Sequence, residues 1–420
     1  MAKRILLFSL AYYPKYIGGA EVAIKEITDR ILPEDIVFDM ITCRFDSTLP
    51  EFERIGNINI YRIGPTKRDP RMDELVRFPM YLVKVIYPVL AVWKAISLDR
   101  KVRYDAVWAM MSYMGFPVAL WRKVFGRTIP YALTLQEGDS VEHVMKRLRI
   151  RLVARLYAAI YRDATIIQTI SFYLAHWARG MGYQGPLEVV PNAVDVTHFS
   201  GEYAEADLTE LALQLEKKKE DRFIITTSRL VEKNAIDMVI RALRFLPLEV
   251  KFLVLGVGPD EEKLKTLVAK EGLNDRVHFL GQVGHEALPQ YLKLSDVFVR
   301  PSRSEGMGNS FVEAMAAKIP VVATPVGGIV DFLFDPDKNP DKEPTGLFAK
   351  VDDPEDIARQ IKRLLDDTEL RARIVANAHL MVVAKYDWNL IARTMRQKVF
   401  APLLGEAALH ADAVAQTLPS

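Results

Sequence analysis

A single cysteine, Cys43, occurs in 420 residues. One thiol excludes an intramolecular disulfide framework and any cysteine-based zinc site, and it suits a reducing compartment. Histidine spacing offers no zinc site either, since none of the seven His residues stands in a His-x3-His pair. Long unbroken apolar runs are also lacking. The longest, Phe78 to Trp93, is interrupted by Pro79, Lys84 and Pro88, which argues against a membrane span. The opening Met-Ala-Lys-Arg leads straight into strand-like Ile5-Leu-Leu-Phe-Ser, unlike the layout of a secretory leader. A cytoplasmic protein is therefore expected. No Walker A loop or Gly-x-Ser-x-Gly elbow is present, and the one paired-glycine turn near the N-terminus is not Gly-x-Gly-x-x-Gly.

What is present is an ordinary globular composition, 50% hydrophobic and 26% charged. The net charge of +2 hides an asymmetry: 27 basic against 20 acidic residues in 1–200, and 29 against 34 in the rest. Short apolar runs alternate with amphipathic ones. Strands are expected at Arg4–Leu10, Val37–Cys43, Asn59–Ile63, Ala106–Met110, Tyr131–Leu135, Thr165–Gln168 and Leu187–Val190. Helices at Ala20–Leu32, Val144–Arg162 and Phe172–Met181 fall between several of them. A polar stretch, Ser200–Arg222, precedes a second alternation with strands at Phe223–Thr227, Phe252–Leu255, Val277–Leu280, Val297–Arg300 and Val321–Ala323. Helices follow near Ala235, Glu261, Glu286, Phe311, Pro354 and Glu369. This rhythm predicts an α/β chain of two doubly wound, Rossmann-like domains facing across a cleft, with ligands at the carboxyl ends of the strands. The expected boundaries are 1–198, a linker or insertion at 199–222, 223–385, and 386–420, whose tail after Gly405 should fray.

The most informative run is Ser302-Arg-Ser-Glu-Gly-Met-Gly-Asn-Ser-Phe-Val-Glu313. Glu305 and Glu313 bracket a strand-to-helix turn whose glycines let backbone N–H groups face a phosphate. A carboxylate at Glu313, expected in the first helical turn, can accept two ribose hydroxyls, with Glu305 beyond the phosphates. Equally, Glu313 could complement the helix dipole and Glu305 be a solvated loop acid. Ser228-Arg229-Leu-Val-Glu-Lys233-Asn follows the first strand of the second half. Its two cations can reach a diphosphate, Arg229 as a fork and Lys233 as a point charge, or stand exposed without a ligand. Gly256 and Gly258 form a Gly-x-Gly-Pro turn, and Gly18 and Gly19 sit at a helix start.

Together these segments resemble retaining GT-B glycosyltransferases of family 4, through the Glu-x7-Glu run, the Arg-Leu-x-x-x-Lys segment, the Gly-x-Gly-Pro turn and the Gly-Gly loop. The likeness spans nearly the whole chain, to Lys385-Tyr-Asp-Trp388, which in the family leads a last helix back to the first domain. It implies metal-independent transfer of a hexose from a UDP- or GDP-sugar to a saccharide or lipid-linked acceptor, in polysaccharide or glycolipid synthesis, without a cofactor. It implies catalytic roles for Arg229, Lys233 and Glu305. Donor contacts would come from Gly18, Gly19, Gln136, Gly256, Gly258, Val283, Met307, Gly308, Asn309, Ser310 and Glu313, with the first domain on the acceptor side. Two departures stand out. Asn234 replaces a common Gly, and Gln136 replaces a common His; Gln can hydrogen-bond a sugar but cannot titrate near neutral pH. A phosphorylase or epimerase of similar fold and a non-catalytic sugar-nucleotide-binding relative are the alternatives.

Arg147, Arg151, Arg155 and Arg162 share one face of the helix expected at 144–162, opposite Leu152, Leu156, Ala159 and Ile160. Such a helix could rest on an anionic membrane at its inner face or simply pack on the sheet. Asp335-Pro-Asp337 lies in a Pro-rich loop, unlike a metal-binding strand end, and no stacking aromatics interleave the basic residues as nucleic-acid binding would require.

Overall fold

The computed structural model describes residues 2–70 and 74–406; most of the tail expected to fray lies outside them. The chain divides into two compact units. One takes the chain up to Glu137, Val141–Asn192 and the chain from Trp388 on; the other takes Gly138–Ser140 and Ala193–Asp387.

In the first unit the strands are β1 (Lys3–Phe8), β2 (Ile36–Cys43), β3 (Phe52–Ile55), β4 (Ile58–Ile63), β5 (Ala106–Met110), β6 (Tyr131–Leu135), β7 (Ile166–Thr169) and β8 (Leu187–Val189), in the order β3-β4-β2-β1-β5-β6-β7-β8. All pairs are parallel except β3 with β4. The strand β3, Phe-Glu-Arg-Ile, is not marked in the sequence because its alternation is short and its faces are exposed or half-buried. The inner strands read as near-continuous apolar runs because helices cover both faces. Those helices include α1 (Gly19–Asp29), α2 (Met80–Val102) and α3 (Gly115–Phe125).

The apolar run around Pro88 is one continuous 23-residue helix, where the sequence suggested an interrupted stretch. Pro88 has no N–H to give the carbonyl of Lys84. The hydroxyl of Tyr113 donates to that carbonyl at 2.5 Å, restoring the lost bond from outside the helix.

A second correction concerns 144–162. The structure has three short helices there, α4 (Val141–Lys146), α5 (Leu148–Leu152) and α6 (Ala154–Arg162). Arg147 is extended, with ψ 122, and Val153 departs from helical geometry at φ −113. Helical spacing therefore does not carry through, the four arginines share no single face, and Leu152 is exposed rather than packed. Beyond it lies α7 (Phe172–Gly180), capped by Ser171.

The second unit has a parallel sheet of β9 (Arg222–Thr227), β10 (Val250–Leu255), β11 (Val277–Gly281), β12 (Val297–Arg300), β13 (Val321–Ala323) and β14 (Leu347–Phe348), ordered β11-β10-β9-β12-β13-β14. From β9 the chain moves first to β10 on one side and later to β12 on the other, so the topological switch point lies between β9 and β12. The stretch expected as a linker, 199–222, holds the end of α8 (Val196–Ser200) and the whole of α9 (Glu205–Gln214) and belongs to this unit. Its charges hide a burying stripe, because Leu211 and Leu215, four apart, are both buried. The remaining helices include α10 (Ile236–Ala242), α11 (Glu261–Glu271), α12 (Leu288–Lys293), α13 (Asn309–Ala316), α14 (Pro354–Asp366) and α15 (Thr368–Lys385). Leu230, Val239, Ile240, Phe252, Val299 and Ile361 are among the fully buried members of this core.

After α15 the chain returns to the first unit. There α16 (Trp388–Thr394) packs on α1, and a π-helical segment, Met395–Phe400, follows. Arg396 makes a two-pronged bond to Asp35, at 2.6 and 2.7 Å. Phe400 is fully buried between Phe38, with centroids 5.7 Å apart, and Trp108, at 5.1 Å. Phe400→Ala should cost the first unit about 3–5 kcal/mol of stability, read as a shifted denaturant midpoint; a shift near zero would mean that this segment is not part of its core.

Candidate active site

Two loops flank the switch point of the second sheet. One leaves β9 as Ser228–Lys233; the other leaves β12 as Pro301–Gly308. They are tied together: the backbone N–H of Arg303 donates to the carbonyl of Lys233 at 2.7 Å, and its guanidinium reaches the carbonyl of Glu232 at 2.5 Å. Arg303 is itself held by Asp237 and Asp352.

The first loop carries the expected cations. Arg229 is exposed, and among the described residues its guanidinium makes no ion pair. Lys233 is half-buried, with Nζ 3.9 Å from Asp139, which is grouped with this unit. Asn234 closes the loop on itself, its side-chain amide donating to the carbonyl of Arg229 at 2.7 Å. The hydroxyls of Thr227 and Ser228, at the end of β9, are buried without a partner among the described residues. Such orphan groups are costly unless something bonds them.

Gly256 and Gly258 stand one strand over. A Cβ on Gly256 would lie 2.0 Å from the carbonyl oxygen of Ser228, and one on Gly258 would lie 2.1 Å from that of Leu230. These glycines, expected as donor contacts, let the Arg229 loop press against the loop after β10. Val283 is half-buried in the loop after β11.

The second loop is organised by a residue that lies outside the recognised motifs. Arg300, the last residue of β12, is buried. One guanidinium nitrogen donates to Glu305 Oε2 at 2.8 Å, another to Ser310 Oγ at 2.6 Å, and the group lies 4.3 Å from the Phe311 ring centroid. Burial pulls its pKa below the ordinary guanidinium value, and the charges of Glu305 and Glu313 pull it back. An arginine closing the apolar run Val-Phe-Val-Arg, five residues before a glutamate, was the signal available in the sequence. Glu305 Oε1 accepts from the N–H of Gly306 at 3.1 Å. Gly327, at φ +56, lets the chain pass so close to the carbonyl of Glu305 that any side chain there would collide with it.

Gly308, at φ +88, ends the loop, so α13 begins at Asn309 rather than near Phe311. Glu313 therefore sits in the second turn, and the first turn of α13 has no acidic residue. That corrects its expected placement and removes the helix-dipole explanation. Its N-cap, Gly308, has no side chain with which to close this N-terminus. The Met307 side chain is buried, and the Ser310 hydroxyl is taken by Arg300.

The Glu313 side chain is largely enclosed, 18% exposed, and its carboxylate lies 4.0 Å from His285 Nε2. His285 stacks on His198, with centroids 5.4 Å apart. Burial raises the Glu313 pKa to about 7, against the opposing pull of Arg300 and His198.

In the first unit, Gly18 caps α1 in an extended conformation, and the carboxylate of Glu21 folds back against it. Glu21 is thus itself the anion at the Gly18-Gly19 turn, in the manner of a capping box. Gln136 is locked to Asn192 by reciprocal amide bonds of 3.1 Å. Its neighbour Glu137 is buried, with Oε1 accepting from the N–H and hydroxyl of Ser112, while Oε2 has no partner among the described residues.

Two Rossmann-like units, one presenting a cationic loop and a glutamate turn at its switch point, define a GT-B glycosyltransferase. Residues 17–198 match the model of Glycosyltransferase Family 4, and residues 209–381 match that of Glycosyl transferases group 1. The chain belongs to this family of glycosyltransferases. An uncharacterized glycosyltransferase of Methanocaldococcus jannaschii is 25% identical over 93% of this chain and 96% of its own. A GDP-mannose-dependent phosphatidylinositol monomannoside mannosyltransferase of Mycobacterium tuberculosis is 28% identical, over 57% of this chain and 63% of its own. Among solved structures, sucrose-phosphate synthase from Thermosynechococcus elongatus superposes with a TM-score of 0.78, at 22% identity, over 96% of this chain and 99% of its own. Anabaena HepE in complex with UDP-glucose gives 0.74, at 22% identity, over 95% and 99%.

Because the pKa of Glu313 rises on folding, its share of stability is full below the ordinary carboxylate value near 4.5 and is lost as pH rises towards 7. Glu313→Gln should therefore raise the thermal midpoint at pH 8 by an amount corresponding to at most about 3 kcal/mol, with the gain vanishing towards pH 4. An equal gain at both pH values would refute the buried carboxylate. Arg300→Met strands the Glu305 carboxylate and should cost about 3–5 kcal/mol in denaturant unfolding; a loss under about 1 kcal/mol would show that Arg300 does not organise the turn.

Proposed function

We propose that this glycosyltransferase is a retaining, metal-independent enzyme that moves a hexose from a UDP- or GDP-sugar to a saccharide or lipid-linked acceptor, in the cytoplasm, for polysaccharide or glycolipid synthesis. The observation that carries the reading is the bond between the two switch-point loops, which holds Arg229 and Lys233 beside the Glu305 turn. In this reading Arg229 and Lys233 take the diphosphate and offset the charge that grows on it as the glycosidic bond breaks. The backbone amides of Met307, Gly308, Asn309 and Ser310 fix phosphate and sugar at the start of α13. Glu305, aimed by Arg300, faces the hexose, and Glu313 grips the ribose hydroxyls. The leaving phosphate oxygen takes the acceptor's proton on the same face as attack, so the anomeric configuration is kept. The UDP-glucose complex of HepE and the GDP-mannose dependence of the mycobacterial relative both support a nucleoside-diphosphate donor, and they leave the base to be measured.

Calorimetric titration with UDP and GDP should give binding by one of them, lost at least tenfold in Lys233→Ala, a loss of roughly 1.4 kcal/mol. Binding unchanged in that variant would remove the cationic loop from the site. Near pH 7 the same titration should release a proton that Glu313→Gln does not release, because ribose hydroxyls favour the ionised carboxylate. Equal release by both proteins would take Glu313 away from the ribose. Retention is checked by the anomeric coupling of the product, and an inverted product would overturn it.

A further inference from the structure

The helix α2 is long and apolar enough to cross a membrane by length and composition. Its inner face is nevertheless built into the first unit. Val83, Tyr87, Ala91, Val92 and Ala95 are buried, and the Tyr87 hydroxyl donates to the carbonyl of Ile41 at the end of β2, at 2.6 Å. Tyr113 holds the carbonyl of Lys84 beside Pro88. A helix bonded to its own sheet in this way cannot leave it to span a bilayer.

The outer face is a different surface. Leu82, Val85, Ile86, Val89 and Trp93 recur at helical spacing, and all are exposed. Trp93 is 60% exposed and meets Phe125, at the end of α3, edge to face at 5.8 Å. Val124 beside it is exposed too. Large apolar side chains exposed along one helix face make this a candidate interaction surface.

Charge decides what it meets. Residues 75–98 and 106–136 contain no Asp or Glu but hold Arg77, Lys84, Lys94, Arg122, Lys123 and Arg127. Lys84 and Lys94 lie over the rings of Phe45 and Tyr61, away from the stripe. Past Trp93, Arg100 and Lys101 stand exposed two helical turns along on the same side, and Lys123 is exposed beside Val124. The one acid of α2, Asp99, is buried and paired with Arg127, so the surface is apolar at its centre and cationic at its edges. A protein partner would call for polar groups of both signs at the rim. An anionic bilayer calls for this pattern: side chains in the acyl boundary, Trp at the interface, and Lys and Arg at the headgroups.

We propose that the outer face of α2, with the end of α3, is a membrane-docking surface that lies in the plane of an anionic lipid bilayer. It is built wholly within the first unit, and a lipid-linked acceptor would give it a purpose.

Trp93 makes the test direct. Of the five tryptophans, Trp108, Trp121, Trp177 and Trp388 are buried, so exposed indole fluorescence reports on this surface. The full chain is mixed with vesicles of phosphatidylcholine, with and without phosphatidylglycerol, some carrying brominated acyl chains. Sedimentation with the anionic vesicles is expected, with bromine quenching that disappears in Trp93→Phe. The paired exposed substitutions Leu82→Ser and Val89→Ser should lower the partition coefficient at least tenfold without moving the thermal midpoint, and Lys101→Ala roughly fivefold. Three results would overturn the proposal: no sedimentation with any vesicle, quenching that persists without Trp93, or a Leu82/Val89 variant that binds as before. A concentration-dependent dimer abolished by those same substitutions, without vesicle binding, would also overturn it by assigning the face to a second copy. UDP and GDP titrated into the same preparation separate this outcome from that of the donor site, since either can fail alone.

Discussion

One buried guanidinium organises the candidate site. Arg300 sits where β12 ends, below the turn that must present Glu305 and the start of α13. Two of its nitrogens are committed, one to a carboxylate and one to a hydroxyl, and its flat face is spent on Phe311. Burying a cation is costly unless it is paired and hydrogen-bonded. Here the pairing fixes both ends of the loop at once, and the same charge restrains the upward drift of Glu313. The glutamate turn is a pattern of acids and glycines in the sequence. In the folded chain that pattern is held in place by a residue before it.

Much of this was legible beforehand. The alternation of apolar and amphipathic segments pointed to the two sheets, because inner strands of parallel sheets are apolar on both faces. The cationic loop and the glutamate turn were also legible, since their residue types and spacing have few other uses in combination. The sequence did not reveal which glycines serve the backbone. At Gly256 and Gly258 the space that side chains would fill is taken by the carbonyls of Ser228 and Leu230. Gln136 is tied to Asn192, 56 residues away, a partner that no local pattern announces.

Three segments depart from what their local pattern suggests. Pro88 reads as a break because local rules count only bonds within the helix, and the donor that rescues it comes from Tyr113. The basic segment 144–162 reads as one helix because its spacing is right, while the backbone bends at Arg147 and Val153. The charged stretch after Ser200 reads as linker because its leucines are outnumbered by glutamates and lysines.

The return of the chain at Trp388 has a consequence for how the protein comes into being. Phe400 fills the space between Phe38 and Trp108, and Arg396 holds Asp35 in a neighbouring loop, yet both residues follow the entire second unit. During synthesis the ribosome delivers most of the first unit early and withholds the piece that seals its core. The nascent first unit must wait, with an apolar gap open beside β2 and β5, while nearly two hundred further residues emerge and fold. Maturation of the two halves is thus ordered by chain connectivity: the part made first is finished last.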